Sequence, residues 1–183
     1  MKLAILSESP ADEAALRVLV EFVLGDPFTT VQSGLRAHGW PSVEQVLPAV
    51  IRHLHFNTEA DGLVVVVDSD DSVLHTAEHD VPGHHHPFCR ICRLRAVFRR
   101  NTKHLPPAHG RARVLRAVGL AVPAIEAWYL SGRDTSVTEA AWAAGQASGR
   151  APYSRRELKW RVYGTERPPL MIQGQGCPRA QGS

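Results

Sequence analysis

Short apolar runs alternate along the chain with segments in which apolar residues recur every three or four positions. Gly62–Val67 is the strongest run: it carries five consecutive valine or leucine residues without polar alternation. This pattern is typical of a strand that is covered on both faces in a parallel sheet. Weaker apolar runs predict three further strands at Lys2–Ser7, Phe28–Gln32 and Arg113–Val118.

Amphipathic segments lie between and after the predicted strands. The first predicted helix begins at Pro10 and ends at Gly25, and the second runs from an N-cap at Ser42 to about His55. Shorter helices are predicted after Pro123, near Thr138–Gln146, and over Arg155–Val162. The alternation predicts a three-layer, Rossmann-like α/β domain with a mostly parallel central sheet of about four strands.

Length and composition fit one folded domain: 183 residues, of which 44% are hydrophobic and 21% charged. We assign residues 1–164 to the domain, with an insertion at about 72–110, and predict an extended or mobile tail over 165–183. No apolar run reaches the roughly 18 residues of a membrane span, so no membrane association is expected. Three cysteines do not make a disulfide framework, which favours a cytoplasmic location.

Charge is distributed unevenly between the two halves of the chain. Residues 1–80 hold 13 acidic and 4 basic residues, a net −9, whereas residues 81–183 hold 5 acidic and 17 basic residues, a net +12. An acidic half suits cations and a basic half suits polyanions, although ordinary solvated faces give the same totals. The asymmetry is compatible with a metal site beside a phosphate-rich substrate.

Acidic residues follow the first and third predicted strands. Glu8 comes after the first strand, and Asp68 and Asp70 come after the third. The carboxyl ends of parallel strands meet at one edge of the sheet, where ligands bind. Together with Asp12 from the next helical turn, these oxygens suit Mg²⁺ or Mn²⁺. The alternative is structural: such acids also form turns and cap helices.

The order of these acids resembles the Toprim domain of topoisomerases, bacterial primases and OLD-family nucleases. ESPADEAAL (8–16) is similar to the glutamate-containing segment of that family, and VVVVDSDDS (64–72) to its D-x-D segment. VGLAVPAIEAWYL (118–130) and LKWRVYGTERPPL (158–170) resemble a family of small stand-alone Toprim-like proteins of unknown function. The family's glycine after the first glutamate is Ser9 here, and the spacing to Glu13 is one residue longer. Either Asp12 or Glu13 therefore matches the second acid.

The resemblance implies a Mg- or Mn-dependent nuclease that acts on DNA or RNA, with an ATPase or other protein as a further partner. Its catalytic and metal-binding carboxylates would be Glu8, Asp68 and Asp70, with Glu8 as general base or acid. Asp12 would be a fourth ligand, Asp71 an alternate, and Glu126 an additional one. Two alternatives remain open: a non-catalytic nucleic-acid-binding or regulatory subunit, and a hydrolase of nucleotides or small phosphate esters.

A cluster of soft ligands lies in the predicted insertion. His84, His86, Cys89 and Cys92 are enough for a tetrahedral structural zinc, with the two cysteines in a C-x2-C arrangement. The alternative is that the cysteines share a buried helical face as small apolar residues.

The densest basic run follows the cysteines. Its predicted phosphate-binding residues are Arg90, Arg93, Arg99, Arg100 and Lys103, and Lys159 and Arg161 are further candidates near the C-terminal end of the domain. Cations spread around a helix suit the phosphate backbone better than base edges. A solvated helix beside the acidic half is the alternative.

Overall fold

A computed structural model describes residues 1–110 and 113–165 of the chain. Four strands and six helices alternate along it. The strands are β1 (Lys2–Leu6), β2 (Thr29–Thr30), β3 (Gly62–Asp68) and β4 (Leu115–Ala121), and the helices are α1 (Pro10–Leu24), α2 (Trp40–Asn57), α3 (Arg90–Thr102), α4 (Ile125–Leu130), α5 (Glu139–Ser148) and α6 (Arg155–Tyr163).

The four strands form one sheet in the order β2-β1-β3-β4, and every pair is parallel. β3 is central and pairs along its whole length with β4, from Gly62 opposite Leu115 to Asp68 opposite Ala121. The predicted α/β class with a parallel sheet of about four strands is confirmed. The carboxyl ends of β1 and β3 therefore lie side by side.

Side chains of β3 alternate between two cores, one on each face of the sheet. Val65 and Val67 belong to the larger core, which includes α2 and α3 residues such as Leu47 and Leu94. Val66 points into the smaller core with Leu16 of α1. Because both faces are covered, β3 needs no polar positions, which explains its unbroken apolar run.

The basic helix α3 is the crossover between β3 and β4 and not an addition to the fold. It buries Cys92, Leu94, Val97 and Phe98 against α2 and β4. The predicted insertion over 72–110 therefore includes an integral element of the sheet's outer layer. The preceding connection, 69–89, holds a short 3-10 helix at Ala77–Asp80.

Most predicted helix boundaries agree with the structure, and two elements differ. α2 begins at Trp40, so Ser42 lies inside the first turn and Gly39 takes the N-cap position; Pro41 fits a first turn because its missing N–H needs no partner there. β4 starts two residues later than predicted and runs to Ala121, because it pairs with β3 as far as Asp68.

The predicted tail falls almost entirely on 166–183, which lie outside the described residues. Within the part of the chain that the structure describes, no helix combines the length and the hydropathy of a membrane crossing.

Core burial on the α2 face should dominate stability. Leu47 is fully buried, so we expect Leu47→Ala to lower the free energy of unfolding by about 2–5 kcal/mol in urea titrations. Val23 is 81% exposed, and Val23→Ala should change it by less than about 0.5 kcal/mol. Equal effects of the two substitutions would contradict this description of the core.

Candidate functional site

Three carboxylates from two strand ends meet at the carboxyl edge of the sheet. Glu8 follows β1, and its Oε1 accepts a hydrogen bond from the backbone N–H of Asp68 at 3.1 Å. Asp70 lies two residues beyond Asp68, and the same guanidinium group contacts both Glu8 and Asp70. The structure thus brings together the three acids that the sequence analysis singled out as catalytic.

Arg90, the first residue of α3, bridges these acids. Its Nη1 lies 3.2 Å from Glu8 Oε1 and 2.6 Å from the carbonyl oxygen of Asp68, and its Nη2 lies 2.7 Å from Asp70 Oδ2. The guanidinium also lies over the ring of Trp40, 5.1 Å from the centroid. The side chain is only 11% exposed. Arg90, predicted as a phosphate contact, is therefore committed to the acidic site.

A second arginine, Arg155, reaches the site from α6. Its Nη2 lies 3.2 Å from Asp68 Oδ2, and its Nη1 pairs with Asp70 Oδ1. The sequence analysis missed this residue. A usable signal was present, because an arginine in the first turn of a helix opposes the helix dipole and so calls for another partner. Ser154 and Glu157 stabilise that turn with a reciprocal capping box.

Two further acids lie behind the first three. Glu126, in the first turn of α4, is buried, and its charge acts on Asp68. The charge of Asp12 acts on both Glu8 and Asp68, and its Oδ2 accepts a hydrogen bond from Ser9 Oγ at 2.7 Å. Glu13 instead lines a groove beside β2. Of the two open choices, Asp12 is the one that the fold places at the site.

The remaining candidates near the acids occupy different positions. Lys159 on α6 exerts its charge on Asp12 and Glu126. Arg161 pairs with Asp134, at 2.7 Å from its Oδ2. Asp71, the alternate ligand, is exposed to solvent.

Asp70 is held in an unusual backbone conformation. Its φ is 48°, in the left-handed region that aspartate tolerates better than most residues. The backbone N–H of Asp70 donates to the carbonyl oxygen of Pro123 at 3.0 Å. Asp68 is anchored from the same connection, because its Oδ1 accepts from the backbone N–H of Ile125 at 3.0 Å. The loop after β4 thereby fixes both aspartates.

Burial dominates the electrostatics of the site. It raises the pKa of Asp68 to about 8, with further increases from the charges of Glu8, Glu126 and Asp12 that outweigh the lowering by Arg155. Burial is also the main reason that the pKa values of Glu8, Asp12 and Glu126 are raised. The site therefore holds more negative charge than its two arginines neutralise.

The donor set suits a hard divalent cation, since it consists of carboxylate oxygens that repel one another in a buried setting. The guanidinium groups of Arg90 and Arg155 lie among these oxygens. Glu8, Asp68, Asp70, Asp12 and Glu126 would be the ligands available to Mg²⁺ or Mn²⁺, and a cation would share them with the arginines.

A second constellation, His75, His79, Cys89 and Cys92, lies on the other side of the first residue of α3. One ligand atom from each lies within 4.8 Å of the others, and no other group in residues 1–110 and 113–165 gathers three or more potential ligands so closely. His75 Nδ1 is 3.4 Å from Cys89 Sγ and 3.7 Å from Cys92 Sγ. Both cysteines are buried free thiols. This cluster is able to hold a metal ion.

Two details of the cluster fit a missing ligand. Nδ1 of His79 is buried and has no hydrogen-bond partner. His75 Nε2 lies 3.1 Å from Asp80 Oδ1, the kind of outer carboxylate that orients a metal-binding imidazole. Burial raises the pKa of the Cys89 thiol, a cost that coordination of the thiolate by a cation would remove.

The histidines of this cluster differ from those predicted. His84 is exposed and lies 3.7 Å from Glu78 Oε1, and His86 stacks on the ring of His79 while its Nδ1 accepts from the backbone of Phe88. The 3-10 helix at 77–80 returns His79 to the start of α3. Short sequence spacing favoured the three adjacent histidines, whereas the chain reversal selects the more distant pair.

The predicted phosphate-binding residues divide by their partners. Arg93 pairs with Glu44, with its Nε 3.0 Å from Oε1, and lies over Trp40. Arg99, Arg100 and Lys103 are exposed on the later turns of α3 and just beyond them.

Comparisons of the chain with protein-family models, curated proteins and solved structures found no match.

The raised pKa of Asp68 should make stability depend on pH. The folded state holds the Asp68 proton up to about pH 8, whereas the unfolded chain releases it near its ordinary pKa of 3.8. The contribution of Asp68 to the free energy of unfolding therefore falls as pH rises between these values. In urea titrations at pH 5 and pH 8 without divalent cations, Asp68→Asn should lose less stability than the parent.

Asp134→Asn provides the control, because the pKa of exposed Asp134 is lowered and titrates below this window. It should lose as much stability as the parent between pH 5 and pH 8. The same loss in Asp68→Asn would contradict a proton held by Asp68.

Proposed function

We propose that this chain is a Mg- or Mn-dependent phosphodiester hydrolase, an endonuclease that acts on nucleic acid. The observation that carries the proposal is the network at the sheet edge, in which Glu8, Asp68 and Asp70 share two guanidinium groups. Phosphodiester cleavage needs both kinds of group: carboxylates to hold a cation, and cations to stabilise charge on the phosphate.

Burial of the acids supports cation binding. Asp68 and Glu8 are 16% and 15% exposed, and a divalent cation would offset their mutual repulsion. Mg²⁺ usually takes only one or two protein carboxylates and completes its shell with water and substrate phosphate. The acids therefore need not enclose it, and a substrate phosphate would offer Arg155, 42% exposed, an alternative anion.

We also propose that the fold is Toprim-like. Acids that follow β1 and β3, adjacent strands of a parallel sheet, support this assignment together with the segments 8–16 and 64–72. On this proposal Glu8 acts as general base or acid, and the buried Glu126 and Asp12 reinforce the negative field around the metal.

One observation favours a second candidate, a non-catalytic nucleic-acid-binding subunit. Arg90 and Arg155 already give Glu8, Asp68 and Asp70 ion-pair partners. A structural role for this network would leave the acids paired and the cation unbound. Metal dependence of activity separates the two candidates.

We expect the purified protein to nick DNA or RNA in Mg²⁺ or Mn²⁺, and Asp68→Ala and Asp70→Ala to reduce the rate by about 100-fold or more, because each removes a cation ligand. Gel-based cleavage of labelled plasmid and RNA measures this.

Asp26→Ala is the matched control, because Asp26 is an exposed aspartate at the end of α1 and its removal should leave the rate unchanged. Cleavage by Asp68→Ala at the parental rate would refute the site. Tight binding without cleavage would support the non-catalytic candidate, and turnover confined to free nucleotides would indicate a nucleotide hydrolase.

We propose that the His75, His79, Cys89 and Cys92 cluster holds zinc. Two thiolates and two imidazoles are the donor set of structural zinc sites, whereas Mg²⁺ prefers oxygen. The ion would fasten the 69–89 connection to the start of α3. Because zinc binding needs reduced cysteines, a reducing compartment such as the cytoplasm follows from this proposal.

We expect about one zinc per chain by elemental analysis, and loss of that zinc in His79→Ala and Cys92→Ser, with a lower melting temperature because the 69–89 connection is released. His84→Ala is the control and should retain zinc, since His84 is outside the cluster. Zinc retained by His79→Ala but lost from His84→Ala would support the ligand set predicted from sequence instead.

A further inference from the structure

A groove between α3 and the edge strand β4 is lined by cations. Its basic residues are Arg99, Arg100, Lys103, Arg113 and Arg116, and its other lining residues are Ala96 and Thr102, with no carboxylate among them. β4 is paired only with β3, and its first three residues are exposed. The outer side of β4 thus leaves one wall of the groove open to solvent.

These five cations have no carboxylate partner among the described residues. Arg99 contacts the imidazole of His85 at 3.0 Å, and Arg116 contacts the hydroxyl of Thr102 at 3.4 Å. Other basic residues of the same helix are neutralised: Arg93 pairs with Glu44, and Arg95 with Asp80. Unneutralised charge is therefore concentrated in the groove.

One of the cations is positioned before any ligand arrives. The Arg116 guanidinium lies over the ring of Phe98, 5.4 Å from its centroid, which limits the conformations that the side chain must give up on binding.

The groove and the acidic site lie at opposite ends of one helix. Arg90, at the start of α3, contacts the acids, and Lys103 follows its last residue. Thirteen residues of helix span about 20 Å, the axial length of roughly six phosphates of one B-form strand. A strand that lies along α3 would therefore have the groove at one end and the acids at the other.

We propose that the α3–β4 groove binds the phosphate backbone of a nucleic acid strand and leads that strand toward the acidic site. The backbone part stands on the groove alone, and the direction toward the acids rests on the proposed function. Aromatic and amide side chains do not line the groove, so backbone contacts should dominate over base contacts. Binding should accordingly be strongly salt-dependent and weakly sequence-dependent.

The test compares two triple variants that remove equal charge. Arg99→Ala/Arg100→Ala/Lys103→Ala empties one wall of the groove, and Arg36→Ala/Arg133→Ala/Arg150→Ala removes three exposed arginines elsewhere. Fluorescence anisotropy with labelled 20-nucleotide DNA and RNA, with no Mg²⁺ or Mn²⁺ added, gives affinity against salt. The groove variant should bind on the order of tenfold or more weakly, and the slope of log affinity against log salt should fall by roughly 3.

The control variant should bind as the parent does at each salt concentration, and both variants should retain the parental circular dichroism and melting temperature. Equal losses in the two variants, or no loss in either, would overturn the groove. So would parental binding to vesicles of anionic phospholipid without binding to oligonucleotides.

Hydrolysis of bis(p-nitrophenyl) phosphate in Mn²⁺ separates this inference from the proposed function. This small diester does not span the groove, so the groove variant should hydrolyse it at the parental rate. Absence of hydrolysis by the parent, with groove-dependent oligonucleotide binding intact, would reject the nuclease and leave the groove standing.

Discussion

Burial of like charges at the carboxyl edge of the sheet is the constraint on which the candidate site depends. Glu8 and Asp68 are 60 residues apart in sequence, yet a backbone hydrogen bond joins them because β1 and β3 are neighbouring parallel strands. Their charges require compensation, and Arg90 and Arg155 provide part of it from α3 and α6. The network therefore ties two helices to the sheet edge as well as preparing the edge for a cation.

Helix α3 connects the three functional features of the molecule. Cys89, its N-cap, belongs to the His/Cys cluster, and the next residue, Arg90, enters the acidic site. Its last turns carry the cations of the groove. A metal ion at the cluster would fix the start of the helix, so its position bears directly on where the Arg90 guanidinium lies among the acids.

Much of the fold follows from local sequence. The unbroken apolar run of β3 indicates a strand covered on both faces, and the caps at Thr138 and Ser154 mark helix starts that the structure confirms. Adjacency of Glu8 and Asp68 also follows, because it requires only parallel neighbours. The position of α2 was less predictable, since Gly39 caps without a side-chain signal and Ser42 offered a stronger one.

Contacts set by chain reversal were beyond reach of the sequence. Nothing in local spacing selects His75 and His79 over His84 and His86, because the choice depends on a 3-10 helix in an irregular connection. Partners of basic residues are equally non-local: Arg155 is 87 residues from Asp68. Predicting which cations are neutralised, and which remain for a ligand, requires the tertiary structure.

The central claim is that the acids at the sheet edge bind a divalent cation. Anomalous diffraction from crystals soaked in Mn²⁺ tests it most directly. The account predicts a manganese peak within about 2.3 Å of carboxylate oxygens of Asp68 and of Glu8 or Asp70, with at least one guanidinium displaced from them. Fully soaked crystals with no peak at that edge, and with Arg90 and Arg155 still paired to all three acids, would contradict it.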